Sequence, residues 1–231
     1  MNALKTVLAA TLLASASLAA AQPMVTLHSS NVGIDPNPSK FYFFFNNSAK
    51  RISINQTWTG NGLGVMSFSG LALGTTYEIN ISAFNSSGVA WNRIALELLD
   101  PAGNSNDTLD PSSQPAFVPV GFSTSNNNDG LSFAQGTSRP RFSYEFSKVF
   151  ADELSDQRDF LDFYDGTVPT GQQAWLQFSL VNTSAENLSF LLVQRPNAFS
   201  ATVVPVPAAL PLLASGLAIF GLIARRRKQA A

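Results

Sequence analysis

Period-two alternation of apolar and polar side chains runs through the middle of this chain and restricts it to a sheet-based fold. Tyr77, Ile79, Ile81 and Ala83 alternate with Thr76, Glu78, Asn80 and Ser82. Ile94, Leu96 and Leu98 alternate with Arg93, Ala95 and Glu97, and Leu176, Phe178 and Leu180 with Trp175, Gln177 and Ser179. Successive side chains of a strand leave opposite faces, so each segment offers one face to a core and one to solvent. Val25 to His28, Ile52 to Trp58, Val65 to Phe68 and Phe190 to Val193 read as further strands. Phe41 to Phe45 is apolar in both phases and reads as a central strand covered on both sides. Turn-forming clusters divide the strands: Asp35-Pro36-Asn37-Pro38, Thr59-Gly60-Asn61-Gly62, Asn85-Ser86-Ser87-Gly88 and Asn126 to Gly130. About eight strands at such spacing fit an antiparallel β-sandwich or a jelly roll.

One segment departs from this period. Phe146, Val149, Phe150 and Leu154 recur at helical spacing, with Asp152, Glu153 and Asp156 between them. The pattern predicts a short helix over Ser147–Ser155, packed on one end of the sheets. The Pro, Asn and Ser-rich stretch from Pro101 to Pro119 reads as a long loop within one domain.

Composition excludes several chemistries. The 231 residues include no cysteine, so disulfides, zinc–thiolate sites and thiol nucleophiles are absent. Charged residues make up 13% and Phe alone numbers 18, which suits a Phe-packed core rather than a disordered chain. Of the 14 Lys and Arg, five lie in the two ends (Lys5, Arg225, Arg226, Arg227 and Lys228). The middle therefore holds nine against all 15 acids, a net charge of −6. A domain of that sign has no basic surface for phosphates, and nucleic acid is not an expected partner.

Both ends carry export signals. Lys5 precedes an apolar run from Val7 to Leu18, and Ala19-Ala20-Ala21 stands before Gln22. A positive start, a short apolar stretch and an A-x-A site describe a secretory signal peptide over 1–21, cut by signal peptidase between Ala21 and Gln22. At the other end Val204-Pro205-Val206-Pro207-Ala208-Ala209 leads into an apolar stretch with Gly216 and Gly221, closed by Arg225, Arg226, Arg227 and Lys228. Residues 208–224 as a helix span roughly 26 Å, just enough to cross a bilayer when the flanking arginines snorkel. The terminal cations place that end in the cytoplasm and the domain over 22–200 outside.

The order over 203–228 of a Pro-x-Pro segment, a short Ala, Leu and Gly-containing span and a final arginine cluster resembles the PEP-CTERM sorting signal. The glutamate that the family usually holds between its two prolines is Val206 here. The resemblance implies a precursor held in the inner membrane facing the periplasm and cut near the prolines by an exosortase. It further implies that the mature protein moves to the outer surface or into an exopolysaccharide matrix. The tail gives an address; the resemblance assigns no activity to the outer domain.

Within that domain no catalytic motif and no cofactor fingerprint occurs. The single histidine, His28, has no sequence partner that makes it a catalytic base. Gly60-Asn61-Gly62-Leu63-Gly64 lies between two strands and reads as a turn. Acids cluster at Asp152, Glu153, Asp156, Asp159, Asp162 and Asp165, and oxygen donors again at Asp100, Asn104, Asn106, Asp107 and Asp110. These are the hard ligands that calcium takes, but neither follows an EF-hand order, and a solvated acidic face is the expectation. Carboxylates for glycoside hydrolysis and a sugar-stacking set of Trp58, Trp91, Trp175 and Tyr164 are the alternatives. Seven N-x-S/T sequons stand at Asn46, Asn55, Asn80, Asn85, Asn106, Asn182 and Asn187. The sequence thus points to an exported surface or matrix protein that is not an enzyme and uses no cofactor or metal.

Overall fold

The alternating segments pair into two sheets that share one apolar interior. The computed structural model describes residues 22–101, 118–126, 129–134, 141–152 and 158–197. The signal peptide, the sorting segment with its membrane span, and Asn104, Asn106, Asp107, Asp110, Glu153 and Asp156 lie outside these residues. The strands are β1 (Met24–Leu27), β2 (Phe41–Asn46), β3 (Arg51–Trp58), β4 (Gly64–Ser69), β5 (Thr76–Asn85), β6 (Trp91–Pro101) and β7 (Phe122–Thr124). They continue as β8 (Leu131–Ser132), β9 (Phe142–Ser143), β10 (Phe146–Asp152), β11 (Phe160–Val168), β12 (Gln173–Asn182) and β13 (Ser189–Pro196). A single 3-10 turn, Ala185–Asn187, is the only helical element among the described residues.

A seven-stranded sheet runs β1-β4-β13-β6-β11-β10 with β7 also on β6, and a six-stranded sheet runs β2-β3-β5-β12-β8 with β9 also on β12. All strand pairs are antiparallel except β3 with β5. That exception follows from the chain path. Between β3 and β5 the chain crosses to the other sheet as β4, so it returns beside β3 in the same direction.

The inward phase of each strand fills the space between the sheets. Ile52, Ile54, Tyr77, Ile79, Ile81, Leu176, Phe178 and Leu180 of one sheet meet Met66, Phe68, Leu96, Leu98, Phe163, Phe190 and Leu192 of the other in one buried cluster. Phe68 and Phe190 stack at 5.4 Å, and Trp58 meets Trp91 edge-on at 5.6 Å. Full burial of each large apolar side chain contributes about 1.5–3 kcal/mol, so this interior supplies the dominant stabilising term.

Three expectations from the sequence are corrected. First, Phe146 to Asp152 is not helical but forms edge strand β10. On β11, Leu161 and Phe163 point inward and then Val168, with Asp165 between them in the left-handed region at φ 62°. The ladder from β11 to β6 shifts register at this point. Ser147 lies opposite on β10 and donates to the Asp165 carbonyl and carboxylate at 3.0 and 2.8 Å. Phe146 is core-facing before this irregularity and Val149 after it, so a broken strand reproduces the three-residue spacing of a helix.

Second, among the described residues β2 is an edge strand and not a central one, pairing only with β3. Phe41, Phe43 and Phe45 pack against the core, while Phe44 is 63% and Tyr42 41% exposed. Third, β6 is buried on both faces, including Ala95 and Glu97. It lies in the middle of its sheet, and its outer side carries a second apolar cluster of Val65, Leu99, Leu191 and Val193 packed by Leu63, Val118 and Phe122.

Candidate functional site

Among the described residues no second layer covers most of the outward phases of β3, β5 and β12, and together with β2 they make a broad surface, with Ser179 of β12 buried at its margin. Its order follows from register. Tyr42 lies opposite Asn55, Asn55 beside Ser82, and Ser82 opposite Trp175, so one row crosses four strands. A second row runs from Phe44 to Ser53, Asn80, Gln177 and Phe142. Neighbouring strands lie about 4.8 Å apart, so each row from β2 to β12 spans roughly 14 Å.

Rings occupy both ends of these rows. At the β2 end Tyr42 and Phe44 meet edge-on at 5.6 Å. At the other end Trp175 packs with Phe142 at 5.1 Å and with Tyr144 at 5.2 Å. Tyr144 is 75% exposed. Glu145 fixes this end, its carboxylate accepting from the Trp175 backbone N–H at 2.8 Å and from the Ser143 hydroxyl at 3.0 Å.

Between the rings the surface is polar and internally neutralised. Arg51 donates two hydrogen bonds to the Glu78 carboxylate, at 2.9 and 3.1 Å. Asn80 and Gln177 donate to the same carboxylate at 3.0 and 2.5 Å. Burial pushes the Glu78 carboxyl upward, but the hydrogen bonds from Arg51, Asn80 and Gln177 and the Arg51 charge together outweigh it. Its pKa is held below the ordinary carboxylate range. Beside Tyr42 lies a depression of about 190 Å³ lined by Lys40, Asn55, Thr57, Ser82 and Gln173.

The other sequence candidates scatter. Trp58 and Trp91 are core residues, and Gly33 and Gly64 are the seat of the Trp58 ring: an added Cβ there would lie 2.4 and 2.6 Å from it. The glycine-rich stretch is thus the turn from Gly60 to Leu63 and the first residue of β4, Gly64, shaped by packing. Tyr164 lies on the opposite sheet with Arg93 and Lys148 at 5.9 and 6.0 Å from its ring, so cations already occupy its surroundings. His28 follows β1, accepts from the Ser30 N–H at 3.2 Å and meets Phe122 edge-on. Of the alternative sugar-stacking set of Trp58, Trp91, Trp175 and Tyr164, only Trp175 reaches the ring-bordered surface.

The described part of the acidic run is not a uniformly solvated face. Asp159 and Asp162 are buried, Asp152 is half-buried, and Asp165 is exposed and paired with Lys148 at 3.0 Å. The Asp165 pKa is lowered, by the Lys148 hydrogen bond first, and Lys148 is raised by the same contact. Asp159 accepts from Ser125 at 2.6 Å, Asp100 from Ser123 at 3.0 Å, and Asp162 faces Arg93 at 3.7 Å. Asp129 accepts from the N–H groups of Asn126 and Leu131 at 2.9 and 2.8 Å. Asp159 thus ties the segment after β7 to the seven-stranded sheet, Asp100 and Asp162 link strands within that sheet, and Asp129 closes the turn into β8. Among the described residues no group of three or more His, Cys, Asp or Glu is placed to hold a metal. Three sequon asparagines are structural as well: Asn85, Asn182 and Asn187 are buried and donate to backbone carbonyls at 2.8–3.0 Å.

No protein-family model, curated protein or solved structure matches the chain significantly. The sequence reading missed Tyr42, Phe44, Phe142 and Tyr144. The run Phe41 to Phe45 contained a signal for the first two, because five adjacent aromatics without a charge leave one phase of rings outside unless both faces are covered.

Proposed function

We propose that this chain is an exported surface or matrix protein, processed by signal peptidase and then by an exosortase, whose β domain is a binding or display module and not an enzyme. The observation that carries the reading is the order of elements over 203–228: Pro205 and Pro207, an apolar span over 208–224, then Arg225, Arg226, Arg227 and Lys228. Proline keeps the chain extended just outside the bilayer, where a protease can grip it, and the cations hold the span across the membrane. The use of buried acids to tie strands and turns together supports a non-catalytic domain. The aromatic-bordered surface favours the binding alternative over a carboxylate-dependent glycan-active enzyme.

Fractionation and immunoblotting test this. Replacing Pro205 and Pro207 with Ala leaves insertion intact and blocks cleavage, so full-length protein accumulates in the inner membrane. Replacing the four terminal cations with Ser weakens orientation and retention. Wild-type protein that stays full length in the membrane with an active exosortase present would reduce the tail to a plain anchor.

A further inference from the structure

We infer that the outer face of the six-stranded sheet is a binding lane for an extended neutral glycan, gripped by rings at both ends and hydrogen-bonded between them. The inference stands on this face alone and does not rest on the sorting tail.

The distribution of chemistry on the face selects the ligand class. Protein interfaces have an apolar centre and a polar rim. Here the order is reversed: Ser53, Asn55, Asn80, Ser82 and Gln177 hold the centre, and Tyr42, Phe44, Trp175 and Tyr144 hold the margins. A partner that fits must be dense in hydroxyls along its middle and offer flat C–H faces to rings about 14 Å apart across the strands. A chain of pyranose rings has both properties, with equatorial hydroxyls at its edges and axial C–H bonds on its faces. The Ser53 hydroxyl and Asn55 amide can each donate and accept, matching hydroxyls that do the same, while Asn80 and Gln177 are held in place by the Glu78 carboxylate and Ser82 by Gln173.

Charge narrows the class further. The Arg51 guanidinium and Glu78 carboxylate neutralise one another at 2.9 Å. Among the described residues lining the depression beside Tyr42, Lys40 is the one cation, not the basic track that a polyanion requires. The ligand is therefore an uncharged polysaccharide strand. Pre-organisation favours binding, because the sheet fixes the backbone beneath the lane and Trp175 is held in a cluster with Phe142 and Tyr144, which also touch each other.

The test uses the purified full chain in a zwitterionic, sugar-free detergent. Native gels are cast with neutral probes (a β-glucan, an α-glucan, a mannan and a galactan) and with an acidic polyuronate. Retardation by at least one neutral probe is expected, unchanged between low and high salt. Tyr42→Ala and Trp175→Ala each weaken it about tenfold, the scale of one lost ring-stacking contact. Phe150→Ala, an exposed ring on the opposite sheet, leaves it unchanged. Trp175 is the one tryptophan outside the core, so the retarding probe shifts the fluorescence of wild type but not of Trp175→Phe. Should Trp175→Ala fail to fold, Tyr42→Ala and Tyr144→Ala carry the same comparison from exposed positions. Mobility unaffected by every neutral probe, retardation by the polyuronate alone with steep salt dependence, or retardation equal in wild type and Tyr42→Ala would each overturn the inference.

Discussion

Replacing Arg195 with Met tests the electrostatics of the sandwich more sharply than any other single change. Arg195 Nη1 donates to Glu97 Oε2 on the outer side of the seven-stranded sheet, where the Glu97 side chain is fully buried and that of Arg195 is 11% exposed. Glu97 Oε1 and Arg195 Nε and Nη2 are also buried and have no hydrogen-bond partner among the described residues. The pair is thus only partly satisfied. Removing Arg195 strands a desolvated carboxylate between Val193 and Phe160, the residues opposite it in register. Breaking a buried pair from one side costs about 3–5 kcal/mol. In a domain of this size that corresponds to a fall of roughly 6–20 °C in melting midpoint. Replacing both partners, Glu97→Leu with Arg195→Met, removes three unmet polar atoms along with the ion pair. Such replacements are commonly neutral or stabilising, so the double variant should melt within about 1 kcal/mol of wild type or above it. The assay is a thermal and urea double-mutant cycle on residues 22–200, with the coupling energy as readout. A single variant losing under about 1 kcal/mol, or a double variant as unstable as the sum of the singles, would refute the reasoning.

The same fragment, expressed alone, should give a β-dominated far-UV spectrum and one cooperative transition indifferent to reductant; a helical spectrum would contradict the fold. Glu78 has a depressed pKa when folded, so it contributes stability above the unfolded value of ~4.3 that is lost as pH falls through the lower folded value. Glu78→Gln should therefore flatten the acid limb of the stability curve below about pH 4.3 and leave its slope at neutral pH unchanged.

Much of the fold was legible because one variable, the side-chain period, fixes which face of a strand is wet. The eight alternating or apolar segments all became strands, β1 to β6, β12 and β13. What escaped was whatever a one-dimensional period does not encode. β11 carries Asp162 in a buried outward position and Asp165 at positive φ, so its acids recur every three residues and obscure the alternation. β7, β8 and β9 are two or three residues long, too short to show any period. The parallel pairing of β3 with β5 depends on β4 lying in the other sheet, which is a property of topology and not of either strand.

The site follows the same physics with a different outcome. A polar phase on a strand states only that a face is not core; whether that face meets water, a loop or a ligand is decided by the neighbouring strands. Glu97 and Gln177 have equivalent positions in their alternating segments. Glu97 lies in the middle of a sheet whose outer side is covered, and it is a buried structural ion. Gln177 belongs to the open sheet, between Asn80 and Phe142, and is part of the lane. Likewise Trp58 and Trp175 are both strand tryptophans, yet Trp58 falls in the phase of Ile52 and Ile54, and Trp175 in the phase opposite to Leu176 and Phe178. Phase therefore separates a core tryptophan from an outward one. The partner of the outward ring, across four strands at Tyr42, is supplied only by the register of the sheet.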